Sequence, residues 1–301
     1  VPFKKNFGDI VFQTPCFVLD DADAAALIWE RFRLCELCLK DERMNRILWF
    51  AALIILPSCT FVTRQEPSGT SHLSAINVYD GFEKSDLSGN WDSRKLVSGA
   101  LEFQSQFVRS GKKAVKITLC HGDQIDSEKG SNLERSELLE ADHLWASEGH
   151  SYSYSFSMFI PEDFPLVPTR LVIAQWKQFC PRSECRPDNP VIALRYVNGE
   201  LTLTNQISSK KTTLYRTIEN IRGRWLDFKF QIRFSTEHDG QIKAWLDNKR
   251  ICDYKGVNCY PENDNSGYPV PSRFYFKMGL YRDQTAEPMT IYIDDYRKKE
   301  L

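Results

Sequence analysis

Residues 273–281, RFYFKMGLY, alternate without a slip. Phe274, Phe276, Met278 and Leu280 share one parity; Tyr275, Lys277, Gly279 and Tyr281 share the other. Successive strand residues point to opposite faces. The run therefore predicts a strand with one apolar face and one face bearing an amine and two phenols. The same period recurs along the chain. SYSYSFSMF (151–159) sets Ser against Tyr152, Tyr154, Phe156 and Met158, and WLDFKFQIRF (225–234) gathers Leu226, Phe228, Phe230, Ile232 and Phe234 on one side. VIALRYVNGELTLTN (191–205) reads as two strands around Asn198-Gly199, and IKAWLDNKRI (242–251) as a hairpin turning at Asp247-Asn248. MTIYIDDYR (289–297) is a closing strand, and no long 3.6-residue period follows residue 75. Many short alternating strands in one stretch predict an all-β fold, a β-jelly-roll sandwich of two antiparallel sheets with a concave groove. There is no internal repeat and no sign of a second domain.

Ahead of this domain stands MNRILWFAALIILPSCTF, residues 44–61. Its apolar run, Ile47 to Leu56, is short for a membrane span and suits the core of a signal peptide. Leu56-Pro57-Ser58-Cys59 resembles a bacterial lipobox, which implies cleavage before Cys59 and a lipid on it. Thr60 follows Cys59, which by the same resemblance points to the outer membrane; a periplasmic or cell-surface location is the wider expectation. The other reading is a buried apolar segment of a larger fold. Residues 1–43 precede Met44, a natural start, and read as an upstream extension outside the working protein; residues 60–75 read as a tether, and 76–301 as the domain.

A formal net charge of -1 carries no nucleic-acid signature, so any polyanion must meet a local basic patch. Nine Cys are present. Export permits disulfides. Cys180 and Cys185, and likewise Cys252 and Cys259, are close enough in sequence to close small loops as disulfides. Cys120 is left over and reads as a buried thiol. The oxygen-rich NDN at 263–265 and Asp294-Asp295 would suit a structural Ca²⁺, or are simply turn residues. No cofactor is expected for catalysis, and a monomer is expected. The loops at 180–190 and 258–272 flank the key strands and are expected to wall a groove.

Two more segments carry polar strand faces. In NLERSELLE, Arg135 and Glu137 share a parity, with Asn132 just ahead. In RLVIAQWKQF, Gln175 and Lys177 share one, while Val172, Ala174 and Trp176 point the other way. If the three strands lie in one sheet, its face collects Arg135, Glu137, Gln175, Lys177, Tyr275, Lys277 and Tyr281. No Ser-His-Asp arrangement and no phosphate-cradling Gly loop occur. The paired carboxylates of a glycosidase are not in strand register.

A uronic-acid polymer suits the set better. Taking the C5 proton beside a carboxylate requires that the carboxylate be neutralised, so that the developing enolate is stabilised. A base must then take the proton and an acid must protonate the O4 leaving group. Arg, Gln and Lys do the first; Tyr and Lys do the others when neighbouring cations or desolvation lower their pKa values.

ERSE (134–137), QWK (175–177) and YFKMGLYRD (275–283) resemble the three signature strands of the jelly-roll polysaccharide lyases. The alginate lyases of that fold carry R-S/T-E-L, Q-I-H and Y-F-K-A-G-x-Y-N-Q motifs. The heparin lyase I-like and glucuronan lyase group carries variants with F-K-x-G-x-Y-R. VYDGFEKSDLSGNW (78–91) is similar to that group's opening strand. The resemblance implies an anionic polysaccharide substrate and assigns Arg135 and Gln175 to its carboxylate. It assigns Tyr281 as catalytic acid, or as acid and base together. Lys277 would sit beside it, holding the substrate or lowering the phenol pKa, and Glu137, Tyr275, Asn132 and Arg282 are further candidate binding residues. Lys177 stands where the alginate and heparin relatives have His. It is the base only if its pKa falls well below ~10.4; otherwise it neutralises the carboxylate and Tyr281 makes both proton transfers. The departure at Lys177, with Arg282 in place of Asn, leaves glucuronan-like polymers open as substrates. A non-catalytic carbohydrate-binding protein and a glycoside hydrolase on a similar sandwich are the competing readings.

Overall fold

The alternating runs become strands. The computed structural model describes residues 75–179, 189–207, 210–260 and 273–301. The lipobox with Cys59 and the 263–265 loop lie outside these residues. In chain order the strands are β1 (Asn77–Asp80), β2 (Trp91–Asp92), β3 (Leu101–Gln104), β4 (Ala114–Leu119), β5 (Leu133–Glu140) and β6 (Ala146–Ser147). Then follow β7 (Ser151–Ile160), β8 (Leu171–Gln178), β9 (Ile192–Val197), β10 (Glu200–Ile207) and β11 (Lys210–Thr217). The series ends with β12 (Arg224–Arg233), β13 (Gln241–Leu246), β14 (Lys249–Lys255), β15 (Arg273–Asp283) and β16 (Met289–Glu300). Only three single-turn 3-10 helices interrupt them among the described residues.

Two sheets of eight strands form. One runs β14-β13-β12-β7-β16-β4-β3, with β1 also paired to β16; the other runs β11-β10-β9-β8-β15-β5-β2, with β6 also paired to β15. Hairpins stay within one sheet, but the chain also crosses between sheets, as from β15 to β16, which a jelly roll requires. The predicted hairpins are present, and Asn198, Asp247 and Asn248 adopt the positive φ that tight turns demand (48°, 50° and 63°). The apolar parity of the predicted strands faces inward, with Val172 of β8 the exception taken up below. Trp176 meets Phe230 at 4.6 Å between ring centroids, Phe156 meets Phe276 at 5.5 Å, and Phe234 stacks on Phe274 at 4.0 Å, closing the two sheets on each other.

The core is not wholly apolar. Glu140 of β5 is fully buried and accepts from Lys298 Nζ of β16 at 3.0 Å, from the Phe276 amide at 3.1 Å and from the Tyr296 hydroxyl. Lys298 also donates to the Leu144 carbonyl. This group ties one sheet to the other. Burial pushes the Lys298 ammonium down, and Glu140 opposes the shift.

The expected bridge between Cys252 and Cys259 does not form; both are free, buried thiols. Cys252 sits inward on β14 with its thiol against the Ile242 carbonyl, 3.4 Å away. Past Cys252 the strand runs on to Lys255 before the chain turns, and Cys259 is buried against the Ser235 backbone. Burial pushes the Cys252 thiol up to about 11. The structure does not show the other expected bridge, between Cys180 and Cys185: Cys180 and Cys185 both lie outside the described residues. Cys120, expected to be buried, is exposed in the turn after β4, where its amide bonds to Asp123 at 2.7 Å. Asp294 is buried and accepts the amides of Arg109 and Ser110 at 2.9 and 3.2 Å, while Asp295 takes the Tyr79 and Ser110 hydroxyls at 2.9 and 2.7 Å. Among the described residues no group of three or more His, Cys, Asp or Glu is placed to hold a metal ion.

Removing one partner of a buried ion pair strands the other. Lys298→Met is expected to cost ~3–5 kcal/mol, measured by urea unfolding, and adding Glu140→Gln should recover part of that loss. A Lys298→Met protein as stable as wild type would show that this pair does not tie the sheets.

Candidate active site

The open face of the second sheet is built from rungs of paired residues. One rung crosses the sheet as Arg135 (β5), Tyr281 (β15), Val172 (β8), Arg195 (β9) and Thr202 (β10). Past the Glu137–Gly279 pair, the next rung to cross the sheet holds Leu139, Lys277, Gln175, Ala193 and Thr204. Tyr275 and Lys177 pair beyond it. Three predicted motifs thus meet on adjacent strands, as their parities required.

Glu137 is their meeting point. It is fully buried, and its Oε1 accepts Gln175 Nε2 at 2.5 Å. Lys277 Nζ lies 3.2 Å and Arg135 Nε 3.4 Å from its Oε2, within ion-pair distance though outside hydrogen-bond geometry. Burial alone would raise the Glu137 carboxyl; Lys277, Arg135 and Gln175 outweigh it and hold the group below its usual range. Lys277 is itself 2% exposed, and burial, reinforced by the charges of Arg135 and Lys177, pushes its ammonium down to about 7 against the pull of Glu137. Arg135 has a second carboxylate partner, Glu128, at 2.6 Å.

Tyr281 stands among cations. The Arg135 guanidinium carbon lies 3.9 Å from its ring centroid, the Arg170 carbon 4.4 Å and Lys277 Nζ 6.0 Å, all in cation–π range. Arg170 is held by Asp283 through contacts of 3.0 and 2.7 Å. Tyr275 packs on Trp145 at 5.1 Å, and burial pushes its hydroxyl up to about 12.

Backbone irregularity shapes this face. Gly279 has φ +145°, and a Cβ there would lie 2.4 Å from the Ser136 carbonyl oxygen. Glycine lets β15 press against β5 where the β15–β8 ladder slips between Met278 and Tyr281. A second slip, between Val172 and Ala174 in the β8–β9 ladder, overturns the parity expected for Val172. Ile173 joins Ala174 in the core, and Val172 comes out beside Tyr281 and Arg195.

Two predicted binding residues are not brought into the site. Arg282 is fully buried on the inward face, where it binds Glu134 at 2.8 Å and the Glu287 carbonyl at 2.5 Å. Its parity is opposite to that of Tyr281, so it anchors the chain behind the site and does not face the groove. Asn132 is exposed ahead of β5, its carbonyl accepting the Gln284 amide at 3.1 Å. Conversely, sequence reasoning missed Arg195, Arg170, Lys95 and Glu128. Arg195 is visibly the charged residue on one parity of IALRYV, but its place in this sheet comes only from the pairing of β9 with β8. Lys95 lies in a 3-10 turn with no periodic signal, yet burial and Arg135 push its amine down.

Lys277 yields a pH test. In the unfolded chain it stays protonated to ~10.4, but in the fold only to about 7. Between those values the unfolded chain binds more protons, so this group's contribution to stability rises with pH. The stability of wild type relative to Lys277→Met should therefore increase from pH 7 to pH 9 in urea titrations. A difference that stays flat or shrinks would mean that Lys277 keeps its proton in the fold.

Comparison with known proteins agrees with the geometry. A family model described as polysaccharide lyase matches residues 82–297. No curated protein matches the chain. Among solved structures, an endo-β-1,4-glucuronan lyase from the fungus Trichoderma reesei superposes with a TM-score of 0.59 at 20% identity, covering 74% of this chain and 95% of that one. A GH131 β-glucanase catalytic domain from Podospora anserina gives 0.52 at 12% identity, covering 74% and 96%. At these identities the likeness is one of fold. The family model spans most of the chain and the whole of the rung system, and the chain accordingly belongs to the polysaccharide lyase family.

Proposed function

We propose that the protein cleaves a uronic-acid polymer by β-elimination, with Tyr281 as the proton-transferring residue. The observation that carries this reading is the setting of Tyr281: a phenol on the open face, between two guanidinium groups, on the rung that Arg135 begins. A substrate carboxylate laid against Arg135, Gln175 and Lys277 meets donors that Glu137 already orients, so little reorganisation is needed as the enolate forms. Tyr281, as phenolate, takes the C5 proton. As phenol, it returns a proton to O4 as the glycosidic C–O bond breaks and the C4=C5 double bond forms. Positive charge around the ring suits a group that must carry negative charge during this cycle.

The register favours Tyr281 over Lys177 for both transfers. Lys177 pairs with Tyr275, whereas Tyr281 shares its rung with Arg135. Lys177 is then a cation that neutralises acidic groups further along the polymer. A glucuronan-like polymer is the substrate class we favour, supported by the Lys177 departure and by the glucuronan lyase among the structural neighbours. Hydrolysis is disfavoured because a general acid needs a raised carboxyl pKa. Glu137 is held low, and Glu128 is engaged by Arg135. The lipobox at Cys59 extends the proposal to a place at a bacterial outer membrane, or in the periplasm.

Incubation with polyglucuronate, alginate and sulfated glycosaminoglycans should give the ultraviolet absorbance of an unsaturated uronic end with at least one polymer. New reducing ends without that absorbance would mean hydrolysis. Tyr281→Phe should lower kcat by about 10²–10⁴ while polymer binding persists; near-wild-type turnover would remove Tyr281 from the mechanism.

A further inference from the structure

Beyond Tyr281 the rung continues to Arg195 across Val172. Val172 is small, and a cavity of ≈ 650 Å³ opens there, lined by Tyr281, Val172, Arg170, Arg195, Gln206 and Lys211. That volume lies in the usual range of ligand sites. The three cations in it differ. Arg170 is neutralised by Asp283. Lys211 is exposed at the rim. Arg195 is largely enclosed, its Nε is buried without a hydrogen-bond partner, and no carboxylate among the described residues lies at ion-pair distance from it. Burial and the charge of Arg170 push its guanidinium down. A guanidinium does not shed its proton in a protein, so a largely covered positive charge is kept without a counter-ion among the described residues. Such a group is costly unless an anion completes it.

We propose that Arg195, aided by Lys211 and Arg170, forms a second anion-binding subsite, which takes the acidic group of a sugar flanking the one at Tyr281. The inference rests on the β-elimination reading for the identity of the polymer. At the ~4.8 Å spacing of strands, Arg195 stands about 10 Å from the Tyr281 strand, on the scale of a neighbouring sugar. The chain of sugars would therefore run across the strands, along the rung. A carboxylate and a sulfate share the chemistry that would fill the site. The cavity is thus a place where the enzyme would require a charged neighbour rather than a neutral one.

The test compares wild type, Arg195→Gln and Arg195→Lys in the full chain, on polyglucuronate, carboxyl-reduced polyglucuronate and a sulfated glycosaminoglycan. Elimination kinetics and calorimetric binding are followed over a range of salt. Arg195→Gln should raise KM about tenfold, the size of one charge-assisted hydrogen bond, with kcat little changed and a shallower salt dependence. Arg195→Lys should restore part of the loss. On the carboxyl-reduced polymer wild type and Arg195→Gln should bind alike, a result that a merely structural role would not produce. A stronger effect on the sulfated polymer than on polyglucuronate would assign the site to sulfate. Should Arg195→Gln fail to fold, exposed Lys211→Gln carries the test, with binding expected two- to threefold weaker. Binding and salt dependence unchanged in the folded variant would overturn the subsite. No elimination by wild type on either acidic polymer would overturn the β-elimination reading alone, the subsite then being judged on binding. No binding of either polymer by wild type would overturn both.

Discussion

Glu137 is a carboxylate with no exposed surface, set into a sheet face otherwise crowded with cations. Taken alone, its burial would be costly. Gln175, Lys277 and Arg135 offset that cost from three directions, and in doing so each is fixed in place. The dependence runs both ways. Without the carboxylate, Lys277 and Arg135 would face each other as like charges in a desolvated site. With it, three strands are locked in a register that sets Tyr281 beside Arg135. The electrostatic centre of the site is thus also a structural clamp between β5, β15 and β8.

β5 does the same service on its other face. LERSELLE alternates polar with polar: Arg135 and Glu137 go outward, Glu134, Ser136 and Glu140 inward. Glu134 holds Arg282 in the same sheet, and Glu140 holds Lys298 of the opposite sheet. Breaking such pairs is costlier than making them is rewarding. Their use here is geometric: they fix where β5 lies relative to β15 and β16. A sugar polymer that must present one particular carbon–hydrogen bond to one phenol needs that precision more than it needs raw stability.

Much of this was legible in the sequence, because a period of two is a strong signal and polar residues on an otherwise apolar parity are easily seen. The strands, both hairpins and the meeting of Arg135, Glu137, Gln175, Lys277 and Tyr281 followed from that arithmetic. The failures have physical causes. Val172 was placed inward because a strict alternation cannot anticipate a bulge, and the slip between Val172 and Ala174 reverses it. Arg282 was carried into the site by the resemblance of its motif, although it follows Tyr281 directly and adjacency in a strand means opposite faces. Cys252 and Cys259 were paired by separation along the chain, when an extended strand carries one thiol away from the other. Arg195 was overlooked because nothing local tells which sheet the β9–β10 hairpin joins. Only the pairing of β8 with β9 puts its outward face in line with Tyr281.

The two bulges then acquire a common meaning. Gly279 lets β15 close on β5 at the site, and the slip at Ile173 turns a small side chain outward between Tyr281 and Arg195. Had β8 kept strict alternation, a core-type side chain would have stayed inward at Val172 and its larger neighbour Ile173 would have stood on the open face. The low stretch of floor between the phenol and the second guanidinium therefore arises from backbone irregularity, not from residue choice alone. Bulges are known to re-aim side chains beside active sites. Here they align a proton-transferring group, a gap and a cation along a single rung, the arrangement that a linear, regularly charged polymer lying across the strands would match.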